Sequence, residues 1–413
     1  MTAPRLWIMT LPVIRMRHRD IDEKHRASTP LELLFDLTFV AAVQAVVTQL
    51  AHGIEGGQAA EELPNFFMVF FAIWWAWLTF TWFASAYDTD DVPYRLFTML
   101  QMGGVLVLAA GVPAAFNDGD FLLITVGYFI MRLALVAQWL RAAVQDPEGR
   151  ATALRYAAGI SIVQAMWIAR LFIAAELPTG AQIATFAFLA GCELAVPLWA
   201  ERRGYIRWHP HHIAERYGLF TIILLGESVL AATVGVQAIV TAGDASGEFV
   251  LLAASGLALL FGIWWVYYLE PAGDGLEKRR RRSFIWGFGH YFVFAALAAL
   301  GAGLEVGVQS LSHEAHVDST TVAYSIAIPV AVFLVAMQVL YRPLLGSETA
   351  IRPASSLVGA GAVMLIPLLA PAVSFGVTVL LITLVVAAII AVTVLQQRSR
   401  TLNTTEEGVR HGA

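Results

Sequence analysis

Six titratable side chains lie inside stretches of sequence that are otherwise apolar, and their types determine what chemistry those stretches can support. A charge at the centre of a bilayer costs on the order of 3 kcal/mol, and several would offset a typical folding stability of ~5–15 kcal/mol. The six must therefore pair with one another or face water. Carboxylates that face water inside a membrane can carry protons or cations, whereas carboxylates paired with arginine fix helix positions. The six residues are Asp36, Arg132, Arg170, Glu193, Glu227 and His290.

Glu227 and Arg132 are expected at similar depths. Glu227, in "FTIILLGESVLA", lies about ten residues from the predicted inner end of its helix, which at ~1.5 Å per residue is near the midplane. Arg132 reaches a similar depth from the other side, so depth alone predicts an Arg132–Glu227 pair. Gly226 and Ser228 flank the carboxylate, and small neighbours permit close helix approach or a local distortion. We interpret Glu227 as a candidate functional carboxylate.

Asp36 is expected nearer the inner face, with Glu193 and His290 within a turn or two of that level. Arg170 lies near the predicted outer face, where its side chain can extend to the interface or meet Glu176. The functional interpretation is a polar pathway with a titratable carboxylate at its centre. The alternative is a set of structural ion pairs and, for His290, a hydrogen-bonded interior position. The sequence leaves both open.

Other polar motifs favour neither an enzyme nor a cofactor. His209, His211 and His212 cluster in "WHPHH", which an interfacial turn explains better than a metal site because no Cys or carboxylate completes the set. The cations of Lys278–Arg282 are expected to hold a helix against anionic lipid. Binding to nucleic acid is not expected. No phosphate loop, nucleophile elbow or HExxH motif is found. Cys192 is a single cysteine, so no intrachain disulfide forms.

The elements that must position these residues are membrane-spanning helices. The chain has 413 residues, of which 58% are hydrophobic and only 14% charged, and its mean hydropathy is +0.68. A soluble protein keeps about 25% of its residues charged, and a spanning helix needs about 20 apolar residues. Twelve such windows occur, at 31–51, 65–86, 95–116, 120–142, 152–175, 181–200, 217–240, 248–269, 284–308, 322–345, 354–370 and 372–396. We expect an all-α polytopic membrane protein.

The positions of Lys and Arg give an orientation. With the N-terminus inside, 24 of the 26 Lys and Arg fall in inner segments, as the positive-inside rule requires. The expected arrangement is a cell-membrane protein with both termini cytoplasmic. Its predicted segments are 1–30 (N-terminal), 31–200 (first six helices), 201–216 (linker), 217–396 (second six helices) and 397–413 (tail).

An internal repeat relates the two six-helix halves. The two Trp-Trp pairs lie 190 residues apart, and other matches persist at offsets near that value. Because six is an even number, both halves start inside and are parallel. Internal repeats are common in transporters. The matched positions are Trp74–Trp75 with Trp264–Trp265, Asp36 with Glu227, and Gln138 with Gln338.

Two motifs resemble those of a known family. "PLELLFDLTFVAAVQAV" and "HIAERYGLFTIILLGESVLAATV" are similar to the signatures of the bacterial low temperature requirement A (LtrA) family, and the resemblance extends from about Glu32 to Gln397. Leu34 stands where that family often has an aromatic residue. The resemblance implies a membrane location and fold, and it implies no substrate. The positions that match the motifs are Glu32, Phe35, Asp36, His212, Glu215, Arg216, Gly226 and Glu227.

A second similarity is an analogy at the level of one element. Phe35–Asp36 at the inner end of the first helix resembles the F-S-D element of a lysosomal-type potassium channel family, although the Ser is absent.

Three classes of function remain open. The leading hypothesis is a transporter or channel for a proton, a small cation or an ion-coupled solute, in which Asp36 and Glu227 are equivalent carboxylates and Arg132 is a counter-charge. A lipid-linked membrane enzyme or binder predicts a lateral opening near Glu193, Glu227 and His290. A scaffold without flux predicts that every buried charge is paired. Membrane lipid is the expected partner, and the sequence gives no oligomeric state.

Overall fold

The computed structural model describes residues 13–20, 23, 26–174, 176–242, 247–310 and 317–411, and every regular element in them is helical. Outside these residues lie 1–12 and four more positions of the predicted N-terminal segment, parts of two predicted outer loops, and the last two residues of the tail. The α-helices are α1 (Pro30–Glu55), α2 (Ala59–Tyr87), α3 (Val92–Asn117), α4 (Leu122–Gln145), α5 (Arg150–Ala174), α6 (Thr179–Ala200), α7 (Pro210–Ala242), α8 (Gly247–Tyr268), α9 (Ala272–Lys278), α10 (Ser283–Gln309), α11 (Ser319–Leu345), α12 (Pro353–Leu365) and α13 (Phe375–His411).

Each of the twelve predicted windows coincides with a helix, and the seven-residue helix α9 was not predicted. Ten helices in the described residues are long and apolar enough to cross a membrane, by length and composition. The remaining two predicted spans are not among these ten: α12 belongs to a shorter apolar stretch, and part of α7 lies outside the side chains that the structure describes. The break near Pro367 is as predicted, because α12 gives way to a single 3₁₀ turn at Ile366–Leu369 before α13 begins.

Helix ends follow local sequence signals. The side chain of Asp91 accepts a hydrogen bond from the backbone N–H of Tyr94 at 3.1 Å and so caps α3. Asp318 caps α11 in the same way. Gly346 ends α11 with a φ of 66°, a conformation that glycine adopts without strain. Pro353 then begins α12, where its missing N–H costs no helical hydrogen bond.

The surface of these helices is apolar while many charges are buried, which is the reverse of a soluble protein. Phe172, Val144 and Val358 are 80%, 74% and 72% exposed, whereas Asp36, Arg132 and the other charged residues discussed below are buried. Apolar helix faces of this kind match the hydrocarbon of a bilayer.

The chain divides into two compact units, each described by itself. Unit 1 comprises Met1–Val46 and Pro64–Arg216, and unit 2 comprises Val47–Leu63 and Tyr217–Ala413. In unit 1, α3 packs on α4, α4 on α5 and α5 on α6. In unit 2, α10 packs on α11, α11 on α12, α12 on α13, and α13 also on α8.

Glycines allow close helix approach in both units. In unit 1, a Cβ added to Gly104 or Gly127 would overlap the backbone of the facing helix, so α3 and α4 touch backbone to backbone. In unit 2, a Cβ added to Gly303 would overlap the backbone of Ser325, which brings α10 and α11 equally close.

Candidate functional site

The start of α1 carries a capping box that also places a carboxylate. In Thr29–Glu32, the Thr29 hydroxyl accepts a hydrogen bond from the Glu32 N–H at 3.3 Å, and Glu32 Oε2 accepts one from the Thr29 N–H at 2.8 Å. The Glu32 side chain is fully buried. Its Oε1 lies 3.1 Å from His212 Nε2 and 3.1 Å from Arg216 Nη1. Glu32 therefore joins the start of α1 to the start of α7.

One turn further along α1, Asp36 meets the same arginine. Arg216 donates from Nε to Asp36 Oδ2 at 3.0 Å and from Nη2 to Oδ1 at 2.5 Å, which is a two-bond fork. Trp77 on α2 donates its indole N–H to Asp36 Oδ1 at 2.8 Å. Asp36 is 1% exposed and Arg216 is fully buried. We name Glu32, Asp36, Trp77, His212 and Arg216 the Asp36 cluster.

Around the Asp36 cluster, several buried polar atoms have no hydrogen-bond partner among the described residues. They include atoms of Arg26, Thr81, Asp88 and Tyr94. Burial, together with the negative charge of Glu32, raises the pKa of Asp88 to about 7, and the nearby arginines oppose this rise only in part. A buried polar group without a partner is costly. Water or an ion could therefore serve as the hydrogen-bond partner of these atoms at this end of unit 1.

A second buried ion pair occupies the middle of unit 1. Arg132 Nη2 lies 3.4 Å from Glu193 Oε2, and Arg132 Nη1 donates to the Thr79 hydroxyl at 2.9 Å. Glu193 also accepts hydrogen bonds from Trp75 at 2.9 Å and Tyr128 at 2.8 Å. Trp167 also donates to Glu193 Oε1 at 3.3 Å, so four donors on the three helices α2, α4 and α5 hold one carboxylate. This arrangement is the one expected of an ion pair that fixes helix positions.

The Arg132–Glu193 pair corrects the sequence prediction, in which depth alone matched Arg132 with Glu227. Depth places a residue along the membrane normal, but it does not say which way a helix turns its side chains. Of the two alternatives for Arg170, an ion pair with Glu176 does not occur among the described residues. Its guanidinium lies 5.6 Å from the ring centre of Phe121 and 5.7 Å from that of Phe186.

In unit 2, Glu227 has a different environment from Asp36. Glu227 is 5% exposed, its Oε2 has no hydrogen-bond partner, and no ion pair to it occurs in the described part of the chain. The charged group that interacts with it is another carboxylate, Glu305 on α10. The sequence treated Asp36 and Glu227 as equivalent, whereas only Asp36 has a buried cation against it.

Glu305 extends the acidic environment toward the end of α1. Glu305 interacts electrostatically with Glu55 and with His52, both in the last turns of α1. The three helices meet at Gly301, where an added Cβ would lie 3.0 Å from the Ser228 hydroxyl and 3.6 Å from Val47. We name Glu227, Glu305 and Glu55 the glutamate row. No ion pair reaches any of its members among the described residues.

Sequence reasoning missed Glu305 and Glu55 because both lie near predicted outer helix ends, where a charge needs no explanation. The available signal was that Glu305 is the one charged residue in the otherwise uncharged stretch "AALGAGLEVGVQ". Of the two small residues beside Glu227, Ser228 faces Gly301, while nothing lies within 4 Å of a Cβ added to Gly226. Close helix approach at this point therefore involves Ser228 and not Gly226.

His290 occupies an aromatic interior position in unit 2. Its Nδ1 lies 2.7 Å from the Trp286 carbonyl oxygen and its Nε2 lies 3.4 Å from the Tyr267 hydroxyl. The ring packs edge-on against Trp286 and Tyr217, with ring centres 4.2 Å and 4.9 Å away. Within the described part of the chain, its hydrogen bonds go to Trp286 and Tyr267 and not to Glu227. The geometry is that of a hydrogen-bonded core histidine.

The remaining motif positions lie where they support the cluster. Phe35 packs on Phe80 with ring centres 4.1 Å apart, and Glu215 Oε1 accepts a hydrogen bond from the Ser28 N–H at 3.3 Å.

In the basic run Lys278–Arg282, Arg279 donates to the carbonyl oxygen of Leu344 at 2.9 Å. Across the described residues, no group of three or more His, Cys, Asp or Glu is placed to hold a metal ion.

Ten apolar helices of spanning length, with buried ion pairs between them, define a polytopic helical membrane protein. A family model described as bacterial low temperature requirement A protein (LtrA) matches residues 27–393, and the chain belongs to this family. An uncharacterized protein of Rhizobium meliloti (strain 1021) is 28% identical to it, and the alignment covers 72% of each chain. No solved structure matches the chain.

Proposed function

We propose that this protein is a transporter or channel for protons or a small cation, with Glu227 on the pathway. The observation that carries this proposal is the environment of Glu227. The residue is buried at mid-helix, has an oxygen without a partner and has a second carboxylate as its charged neighbour. A charge in that position is costly, and either a bound proton or a bound cation removes the cost.

The glutamate row extends this environment along the helices. Glu305 lies four residues before the end of α10, and Glu55 is the last residue of α1. These carboxylates follow one another from the middle of a span toward its end. Each is a binding site from which a cation or proton can move to the next. Intramembrane ionisable residues in transporters commonly serve this purpose.

The Asp36 cluster has a different role in this proposal. Arg216 neutralises Asp36 and lies against Glu32, so neither carboxylate is available to a passing ion in this state. The cluster holds the starts of α1 and α7 together.

Two parallel six-helix repeats in the cell membrane, with both termini cytoplasmic, are part of the proposal. The same packing order supports it, because the third, fourth, fifth and sixth long helices of each unit pack in succession. The backbone contacts between helices support it as well. Gly104 and Gly303 are 199 residues apart, and their facing residues Gly127 and Ser325 are 198 apart. The distribution of Lys and Arg supports the orientation.

A scaffold without flux accounts less well for the glutamate row. Such a protein gains nothing from a buried carboxylate without a counter-charge, and the buried ion pairs of unit 1 already fix helix positions there. A membrane-embedded enzyme would need an acid, base or nucleophile in mutual reach, which neither Glu193 nor His290 provides in its own contacts.

The test is ion flux into proteoliposomes that contain the purified protein. Separate gradients of protons, potassium and sodium are imposed, and flux is compared with that of protein-free liposomes of the same lipid. Flux of one of these ions that scales with protein content supports the proposal. The absence of flux for all three, with protein that remains folded after reconstitution, overturns it.

A further inference from the structure

The segment of residues 13–20 has no regular secondary structure, yet it is fixed against the predicted inner end of unit 1. Met16 is fully buried, whereas Val13 is 60% exposed, so the segment has an inner and an outer face. We name residues 13–20 the N-terminal strap. Three of its backbone N–H groups donate hydrogen bonds to the ends of three helices: Ile14 to Asp91 Oδ2 at 2.7 Å beside α3, Met16 to Gln145 Oε1 at 2.7 Å in α4, and Arg19 to the Ala86 carbonyl oxygen at 2.8 Å in α2.

His18 joins the N-terminal strap to the connection between α4 and α5. Its Nδ1 lies 2.9 Å from Asp146 Oδ2, and its Nε2 lies 3.6 Å from Glu148 Oε2. Burial acts to raise the pKa of Asp146, but hydrogen bonds from His18 and Tyr87 outweigh burial and hold that pKa below its usual value. Arg207 Nη2 also lies 3.4 Å from Glu148 Oε2. An imidazole takes up a proton near neutral pH, and a protonated His18 is a cation against two acidic side chains. This contact therefore becomes stronger as the pH falls.

A buried carboxyl group lies against the same strap. Asp88 directly follows α2, and its side chain is 2% exposed. Arg19 Nη1 lies 3.8 Å from Asp88 Oδ2, which has no hydrogen-bond partner among the described residues. Burial and the charge of Glu32 raise the pKa of Asp88 to about 7, although the nearby arginines oppose this rise. A carboxyl group in water releases its proton at about pH 4, so the covered Asp88 keeps a proton that a hydrated Asp88 releases. The other charged or titratable groups that interact with Asp88 are Arg26, Asp90 and Tyr94.

We propose that the N-terminal strap is a pH-sensitive closure of the predicted cytoplasmic end of unit 1, seated in acid and released in alkali. Both titratable contacts act in this direction. A proton on His18 strengthens its contact with the α4–α5 connection, and a proton on Asp88 removes a charge that burial under the strap penalises. The loss of each proton shifts the equilibrium toward release by up to about tenfold per pH unit. Release brings water to Asp88 and to the buried polar atoms beside the Asp36 cluster. The inference does not depend on ion transport.

The experiment measures how fast a cysteine in the N-terminal strap reacts with a membrane-impermeant maleimide, with the full chain in nanodiscs. Met16→Cys places the thiol where the strap is buried, and Val13→Cys places it where the strap is exposed. Both variants also carry Cys192→Ala, which removes the natural cysteine. Because any thiol reacts faster as pH rises, the quantity of interest is the Met16→Cys rate divided by the Val13→Cys rate. This ratio is expected to rise by about tenfold or more from about pH 5.5 to about pH 8.5.

Two further variants assign the effect to its groups. His18→Gln keeps a hydrogen-bond donor for Asp146 but cannot become a cation, so the ratio should be raised in acid. Asp88→Asn keeps the shape of the side chain without its charge, so the ratio should stay low in alkali. The ratio of the double variant should not change with pH. Glu348→Gln is the matched control, because it removes an acidic group of the exposed pair with Lys278 in unit 2 and should leave the pH profile unchanged.

Hydrogen exchange of residues 13–20 in the chain with its native Met16 repeats the measurement without a cysteine. The three hydrogen-bonded N–H groups should exchange faster in alkali than base catalysis alone accounts for. The proposal is overturned if both the rate ratio and the corrected exchange are independent of pH. It is also overturned if the pH dependence survives unchanged in the double variant of His18 and Asp88. A third contrary result is a Met16→Cys thiol as reactive as that of Val13→Cys at every pH, together with unprotected N–H groups, because the strap is then never seated.

Discussion

Arg216 holds the carboxylate of Asp36 in a two-bond fork, although 180 residues separate them in the sequence. The fork joins α1 to α7 inside unit 1, and Glu32 shares the same guanidinium. A buried ion pair adds little when it is compared with an apolar replacement, but removal of one partner leaves an uncompensated charge and costs ~3–5 kcal/mol.

Asp36→Asn is therefore expected to lower the free energy of unfolding by ~3–5 kcal/mol. The double variant Asp36→Asn with Arg216→Met should lose less than the sum of the two single variants, because it removes one charge of each sign and Glu32 keeps Arg26 at 3.8 Å. Unfolding in mixed micelles, followed by tryptophan fluorescence, measures both. Arg95→Gln is the control, since it breaks the exposed Asp90 pair and should change stability by less than about 1 kcal/mol. The account is contradicted if Asp36→Asn costs no more than this control.

Glu227→Gln is expected to behave in the opposite way. Because no cation pairs with Glu227 among the described residues, the neutral amide removes a buried charge without leaving another one unpaired. Its thermal midpoint should equal or exceed that of the wild type. A loss of stability as large as that of Asp36→Asn would show that Glu227 has a structural partner and would remove the distinction between the two carboxylates.

Glu201, in the turn after α6, gives a pH dependence of stability. Burial raises the pKa of its carboxyl to about 7, although Tyr156 donates a hydrogen bond to it at 2.8 Å. The folded state then keeps a proton that the unfolded state, with a pKa near 4.5, releases. Stability is lost as pH rises from about 4.5 to about 7, by up to ~1.4 kcal/mol per pH unit.

Glu201→Gln removes this loss, since the amide does not ionise. Its thermal midpoint should exceed that of the wild type at pH 8, and the two midpoints should converge near pH 4.5. A series of thermal scans in detergent across this range measures the difference. An equal offset at every pH would mean that the substitution acts through packing and not through ionisation.

The helices could be predicted from the sequence because a spanning helix depends on local composition. Each of the twelve apolar windows matches a helix, and the break between α12 and α13 follows from Pro367 and Pro371. The site was predicted only in part. Asp36 and Glu227 were singled out because they are charges in apolar runs, but their different environments depend on partners on other helices.

Partner choice depends on helix rotation and neighbours, which a single sequence does not encode locally. Glu193 lies against Arg132 because α4 and α6 turn those faces toward α2, whose Trp75 completes the site. The repeated Trp pairs show the same limit. Trp74 and Trp75 are buried, whereas Trp264 and Trp265 are 45% and 49% exposed. Residues of the same type, at matching positions of the proposed repeat, therefore have different environments in the two units.

The most direct test of the account compares ion flux through three variants at equal protein content in proteoliposomes. Glu227→Gln is predicted to abolish the flux of the wild type while it stays folded, and Glu305→Gln is predicted to reduce it. Glu248→Gln, which replaces an exposed glutamate at the start of α8, should leave it unchanged. Wild-type flux in a folded Glu227→Gln variant would contradict the claim that the pathway passes through Glu227.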